Sequence, residues 1–146
     1  MTTETTRLLL QYLVGRLGER EVGFGKTKLV KLLYLTDIES VRIQRRPATD
    51  LEWQFYHYGP YPLGFDVLLR EVEIDLPEET AKIGRSARVV KSYRSLTSVD
   101  DLARRLDGRV RACADKTLDR WAFADLNVLL DYVYFHTAPM KDVKRG

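Results

Sequence analysis

The stretch KTKLVKLLYLTDIESVRIQ, residues 26–44, decides the fold of this chain. Its apolar side chains form two adjacent stripes when the stretch is drawn as a helix, so we expect the helix to be covered on two sides. At a rise of 1.5 Å per residue the helix would be about 30 Å long, which is enough to cross a small domain. The pattern therefore predicts a central helix, preceded by a glycine turn at 23–25 and closed by Pro47.

Four further helices are predicted around this central helix, which is the second helix in chain order. The first helix covers residues 3–17, where leucines recur at helical spacing behind threonines that can cap the helix. The third helix covers residues 63–74 and carries apolar side chains on one face. The fourth helix covers residues 98–113 with a weak point at 107–108, because glycine costs about 1 kcal/mol inside a helix. The fifth helix covers residues 125–139, with an aspartate as its N-cap.

A small β element completes the predicted architecture. Residues 52–58 are rich in aromatic side chains and are expected to form a strand, with the glycine and prolines that follow it as a turn. Residues 80–94 are expected to form a hairpin. The predicted fold class is therefore mainly α with a small β element (α+β), with about five helices around a central helix 26–44. The length of 146 residues fits a single domain, 1–146.

Composition indicates an ordinary globular protein, with 45% hydrophobic and 31% charged residues. Its one cysteine, Cys113, cannot form a disulfide within the chain, which favours a reducing compartment. The first 14 residues lack the basic region of a signal peptide, and no apolar run approaches the roughly 20 residues of a membrane span. We therefore expect a cytoplasmic protein without a membrane partner.

Charge is unevenly distributed along the chain, although the net charge is only +3. Residues 37–81 carry four basic and ten acidic groups, a total of −6, and residues 82–120 carry eleven basic and five acidic groups, a total of +6. Residues 1–36 total +3 and residues 121–146 total zero. Such asymmetry predicts a polarised surface, which bears on partners and association rates.

Common catalytic and nucleotide-binding patterns find little support. The GKT at 25–27 lacks the glycine that a phosphate loop needs five positions earlier, where the chain has Arg20. His57 and His136 have no partner at metal-ligand spacing, and Cys113 falls on an apolar helical face, so structural roles are favoured and no metal site is predicted. An unrecognised enzyme would need a pocket that places either histidine beside a carboxylate.

A nucleic-acid function is the main alternative. Basic residues recur every three positions across the predicted hairpin, and arginines follow on the next helix, so residues 82–111 could act as the wing of a winged-helix DNA-binding regulator. Against this, a period of three spreads charge over both faces of a ribbon whose side chains alternate with period two. A solvated face or a surface for an acidic partner stays open. The contacts in the DNA-binding interpretation would be Arg85, Arg88, Lys91 and Arg94.

Three patterns in order carry a family resemblance. Residues 28–37, KLVKLLYLTD, match K-L-x-K-L-L-Y-L-x-D, and residues 55–60 match the pattern aromatic-x-x-x-G-P. Near the end, Leu129, Val133 and Tyr134 match L-x-x-x-V-Y before Pro139. The chain resembles the Panacea domain, also called the SocA-like or phage-associated GepA-type domain. Relatives often continue beyond Gly146, so the chain is expected to be a short member or part of a longer protein.

The resemblance implies an antitoxin of a bacterial or phage toxin–antitoxin system. Its partner would be a cognate protein toxin, neutralised by direct binding, with a proteolytic adaptor as the other mode; no cofactor and no enzymatic activity are implied. We expect the corner 56–62 to project as a rigid contact surface, because tyrosine and proline lose little rotamer freedom on binding. Packing of these aromatics in the core is the alternative. The candidate partner-binding residues are Lys31, Tyr56, Tyr58, Gly59, Pro60, Tyr61 and Pro62.

Overall fold

The computed structural model describes residues 3–56, 59–72, 74–75 and 93–137. The described chain is mainly α-helical with a small β element, as predicted. The elements in chain order are α1 (Glu4–Glu19), α2 (Lys26–Gln44), β1 (Trp53–Tyr56), β2 (Gly59–Pro62), α3 (Phe65–Glu71), β3 (Ile74–Asp75), β4 (Arg94–Ser95), α4 (Val99–Arg105), α5 (Gly108–Trp121) and α6 (Leu126–His136). None of the described helices combines the length and hydrophobicity needed to cross a membrane.

Helix α2 is the central helix, as the sequence predicts. It packs against α1, α5, α6 and strand β2. The predicted stripes are buried along the first part of the helix, where Leu29 and Leu33 on one side and Tyr34 on the other are at most 2% exposed. The second stripe was expected to continue to Val41, but Val41 is 44% exposed near the end of the helix. Because two faces are covered, α2 shows no strong division into an apolar and a polar side. It ends at Arg45, which adopts the left-handed conformation with φ 66°.

The predicted fourth helix is two helices. Leu106 is extended, with ψ 136°, and ends α4. Asp107 then caps α5, because its Oδ1 accepts hydrogen bonds from the backbone nitrogens of Arg109 at 2.8 Å and Val110 at 3.4 Å. The aspartate satisfies donors that have no partner inside the new helix, so this position is a boundary and not merely a weak point. The described residues therefore contain six helices, where about five were predicted.

Helix α3 is shorter than the predicted 63–74. Gly64 precedes it in the left-handed conformation, with φ 75°, and Val72 ends it in extended geometry. The chain then continues into β3, where Ile74 lies opposite Ser95 of β4. Pairing in this small sheet requires extended backbone, which explains why the helix stops early.

Strands β1 and β2 form a hairpin, the first hairpin of the chain, where the sequence predicts one strand followed by a turn. Strands β1 and β2 are antiparallel, with Trp53 opposite Pro62 and Tyr56 opposite Gly59. The residues expected to form only a turn thus form the second strand, because proline fits a strand where its missing N–H faces away from the partner. The predicted hairpin over 80–94 lies mostly outside the described residues, and its last residue belongs to β4.

Candidate partner-binding site

Lys28 of α2 binds the backbone at and just beyond the end of α5. Lys28 is 9% exposed, and its Nζ donates to the carbonyl oxygens of Ala122 at 2.7 Å and Ala124 at 3.0 Å. These carbonyls lie at the end of α5, where helix geometry leaves acceptors without partners. Burial lowers the pKa of Lys28 below its ordinary value. The lysine therefore joins the end of α5 to the central helix.

Asp37 fixes the segment that leads into β1. Its Oδ1 accepts hydrogen bonds from the backbone nitrogens of Ala48 at 2.9 Å and Thr49 at 2.8 Å. Its Oδ2 accepts from Thr49 Oγ1 at 2.5 Å and from Trp53 Nε1 at 2.9 Å. Burial raises the pKa of Asp37, although these donors act in the opposite direction by favouring the carboxylate. One carboxylate thus holds both the loop and the first residue of the hairpin.

Lys31 binds the second strand of the hairpin. Its side chain is 4% exposed, and its Nζ donates to the carbonyl oxygen of Pro60 at 2.7 Å. Burial lowers the pKa of Lys31 to about 8. Gly59 allows this close approach, because it has φ 99° and a Cβ there would lie 3.4 Å from Lys31 Cε.

Much of the predicted contact corner is buried. Gly59, Pro60 and Pro62 are buried, and Tyr61 is half-buried. The ring of Tyr61 packs edge-on against the ring of Phe65 in α3. The expectation that the corner projects into solvent together with Lys31 is therefore wrong for the buried members. The reason is that the hairpin lies against α2 and α6, which cover its second strand. Partner binding by these residues stays a prediction.

Among the remaining candidate residues, the structure describes Tyr56 and His136. Tyr56 is the last residue of β1, and Tyr58 lies outside the described residues. His136 is exposed in the last turn of α6, where its ring stacks on Tyr132 at 5.7 Å between centroids. Across the described ranges, no group of three or more histidine, cysteine or acidic side chains could hold a metal ion.

A groove of about 530 Å³ lies beside the hairpin. One wall is α6, which is fixed to the core by Leu129 and Val133, both at most 1% exposed. The opposite wall combines the start of α2 with Gly59 of β2. We call this the α6 groove; it is lined by Thr27, Gly59, Leu130, Asp131, Val133, Tyr134 and Phe135.

The α6 groove is mainly apolar, and its α6 wall was not predicted from the sequence. Phe135, which lines the groove, is 61% exposed. A large exposed apolar side chain beside an apolar groove is typical of interaction sites. The signal was present in α6 itself: the run LLDYVYF, residues 129–135, is apolar or aromatic at all positions but one. A helix with a single core-facing stripe does not need so many apolar residues.

The basic region behind the DNA-binding alternative is partly described. On α4, Arg104 Nη2 lies 3.1 Å from Asp101, and Arg105 Nη2 lies 3.3 Å from Glu4 of α1. Carboxylates therefore accompany these arginines and reduce the local positive charge. Arg94 is exposed on β4. The other proposed contacts lie outside the described residues: Arg85, Arg88 and Lys91.

Comparison with known proteins defines the family. The sequence pattern described as antitoxin SocA-like, Panacea domain matches residues 29–120, well over half of the chain. The match begins on the central helix and contains the first hairpin with its Lys31–Pro60 bond. This chain belongs to the SocA-like, Panacea domain family of antitoxins, and the resemblance inferred from its motifs is confirmed. No curated protein and no solved structure matches the chain.

Proposed function

We propose that this chain is an antitoxin that neutralises a protein toxin by binding it directly, with the α6 groove as the contact site. Membership of the antitoxin family supports a toxin as the partner. The observation that carries the choice of site is the apolar groove of about 530 Å³, with Phe135 61% exposed at its side. Apolar and aromatic side chains in a groove bind a protein partner without the cost of desolvating many charges.

The walls of the groove are held in place before binding. Leu129 and Val133 anchor α6 in the core, while Lys31 fixes β2 on the opposite side. A preformed site loses little conformational entropy when a partner binds, so more of the contact energy appears as affinity. Binding of this kind would cover the active surface of a toxin in a one-to-one complex.

We infer a binding function and not a catalytic one. Among the residues that the structure describes, the groove lining offers one carboxylate, that of Asp131, and one phenol, that of Tyr134, as its ionisable groups. Acyl or phosphoryl transfer would require a nucleophile with an adjacent base and a group that stabilises developing charge. The described lining does not combine these parts.

Direct binding can be tested with the protein encoded beside this gene as the toxin. The wild-type chain should restore growth of cells that express this protein and should purify with it. Phe135→Asp should weaken the complex by about 2 kcal/mol, or roughly 30-fold in Kd, because a charge would enter an apolar contact. Phe123→Asp is the matched control, since Phe123 is 72% exposed and does not line the groove. Equal affinities for the two variants would exclude the groove as the site.

The adaptor mode requires a separate experiment. If the chain hands the toxin to a protease, growth rescue should disappear in cells that lack their ATP-dependent proteases, and toxin should accumulate. If direct binding suffices, rescue and toxin level should be unchanged in those cells. Inhibition of the purified toxin by the purified chain in one-to-one ratio would support the same conclusion.

A further inference from the structure

Hydrogen-bond alternation defines which backbone groups of the first hairpin face outward. The backbone nitrogen of Leu63 donates to the carbonyl of Glu52 at 2.9 Å, so these two residues form a hydrogen-bonded pair. In an antiparallel ladder, hydrogen-bonded and non-hydrogen-bonded pairs alternate. The observed register therefore makes Gln54–Tyr61 and Tyr56–Gly59 hydrogen-bonded pairs, and Trp53–Pro62 and Phe55–Pro60 non-hydrogen-bonded pairs.

The outer edge of β2 is closed to another strand. Pro60 and Pro62 occupy its outward positions and have no N–H to donate. The outward carbonyl of Pro60 is already bound by Lys31. Strand β2 also packs along α2 and α6. Prolines and covering helices are the means by which natural sheets prevent pairing at an edge.

The outer edge of β1 is different. We use this term for the backbone N–H and C=O groups of Trp53 and Phe55, which point away from β2. Within the described ranges, no backbone hydrogen bond reaches these four groups. An edge strand with such groups is a template for pairing with another extended chain.

The side chains of β1 hold this edge in a fixed position. Trp53 Nε1 donates to Asp37, and the rings of Trp53 and Phe55 pack edge-on against Tyr34 with centroid distances of 5.2 and 6.2 Å. The strand is therefore extended before any partner arrives. Preorganisation of this kind favours main-chain pairing, because only the incoming segment must be ordered.

We propose that the outer edge of β1 accepts an extended segment of the toxin, which adds to the hairpin as a third strand. This inference rests on the proposed function, since the toxin is the partner. The chemistry of the occupant follows from the charge beside the edge: Glu52, next to Trp53, is exposed, so the segment should carry a basic side chain near Glu52.

A matched pair of substitutions tests the edge with the purified toxin encoded beside this gene. Phe55→Ala and Phe55→Pro both remove the phenyl ring. Only the proline variant also removes the outward N–H and places a pyrrolidine ring on the edge. The proline removes no internal ladder bond, since Phe55 is in a non-hydrogen-bonded pair. We expect Phe55→Pro to bind about tenfold more weakly than Phe55→Ala. Equal affinities in two folded variants would overturn the proposal.

Residue-resolved hydrogen exchange on the wild-type chain gives a test that does not depend on folding of the variants. In the complex, the amides of Trp53 and Phe55 should gain at least about tenfold protection, while the amide of Gln54 should be protected with and without toxin. A complex without this gain would overturn the strand proposal and leave the proposed function intact. Failure of the wild-type chain to bind would overturn both. Protection that rises with the concentration of the chain alone would identify a second copy and overturn the toxin assignment.

Discussion

The ammonium nitrogen of Lys31 lies 2.7 Å from the carbonyl oxygen of Pro60, and this bond joins the central helix to the first hairpin. The carbonyl faces away from β1, so without the lysine it would be a buried acceptor lacking a ladder partner. The ammonium group of Lys31 is itself buried, and burial disfavours its charged form. A residue assigned to toxin contact by sequence therefore has a partner inside the protein.

The first prediction concerns pH. Burial lowers the pKa of Lys31 from its ordinary 10.5 to about 8 in the folded chain. Between these values the unfolded chain holds a proton that the folded chain has released, so the free energy of unfolding should rise with pH. The slope is at most about 1.4 kcal/mol per pH unit. Below the folded pKa the full penalty of burying the ammonium is present.

Urea denaturation of the wild-type chain and Lys31→Met at constant ionic strength measures this effect. Between about pH 8 and pH 9.5, the wild type should gain between about 1 and 2 kcal/mol relative to the variant, because all other titrating groups are common to both. Parallel pH profiles for the two proteins would mean that Lys31 keeps its ordinary pKa.

The second prediction concerns Asp37. Asp37→Asn keeps the shape of the side chain but replaces one acceptor oxygen by a donor, which would face the Thr49 and Trp53 donors. We expect a loss of about 2–4 kcal/mol in the free energy of unfolding. Asp66→Asn is the control, since Asp66 pairs with Lys26 at the surface and should cost at most about 1 kcal/mol. Similar losses in chemical denaturation would contradict the role assigned to Asp37.

The third prediction contrasts two glycines. Gly59→Ala should destabilise the chain by about 1–2 kcal/mol, because its φ of 99° is unfavourable for a residue with a Cβ and Lys31 lies close by. Gly18→Ala should stabilise it by about 0.5–1 kcal/mol, since Gly18 lies in α1 with no heavy atom near its added Cβ. Thermal unfolding should show shifts of opposite sign, and a shared sign would refute this comparison.

The fourth prediction tests the boundary that divides the predicted fourth helix. Asp107→Ala removes an acceptor for two backbone N–H groups of α5 and should cost about 1 kcal/mol. Asp125→Ala removes the N-cap aspartate of α6, which makes no capping hydrogen bond, so its cost should be only a few tenths of a kcal/mol. Equilibrium denaturation can resolve this difference, and equal costs would argue against a specific capping role for Asp107.

Local pattern was enough to predict the helical framework. The two apolar stripes of residues 26–44 require a helix that is covered on both sides, so the central position of α2 follows from side-chain periodicity. The strand over 52–58 also follows from its aromatic composition, because β1 covers residues within it. The sequence predicts only a weak point at 107–108, since the same Asp-Gly pair can interrupt a helix or begin a new one.

The sequence by itself thus determined the fold class, the central helix and the family, because these depend on spacing between neighbouring residues. Tertiary structure decided what the polar residues of the family motif do. Lys31 donates a hydrogen bond to a carbonyl 29 residues away, and Lys28 donates one to a carbonyl 94 residues away. The spacing of residues along the chain does not predict such long-range hydrogen bonds. The α6 groove likewise exists because α6 and β2, distant in sequence, pack against the same central helix.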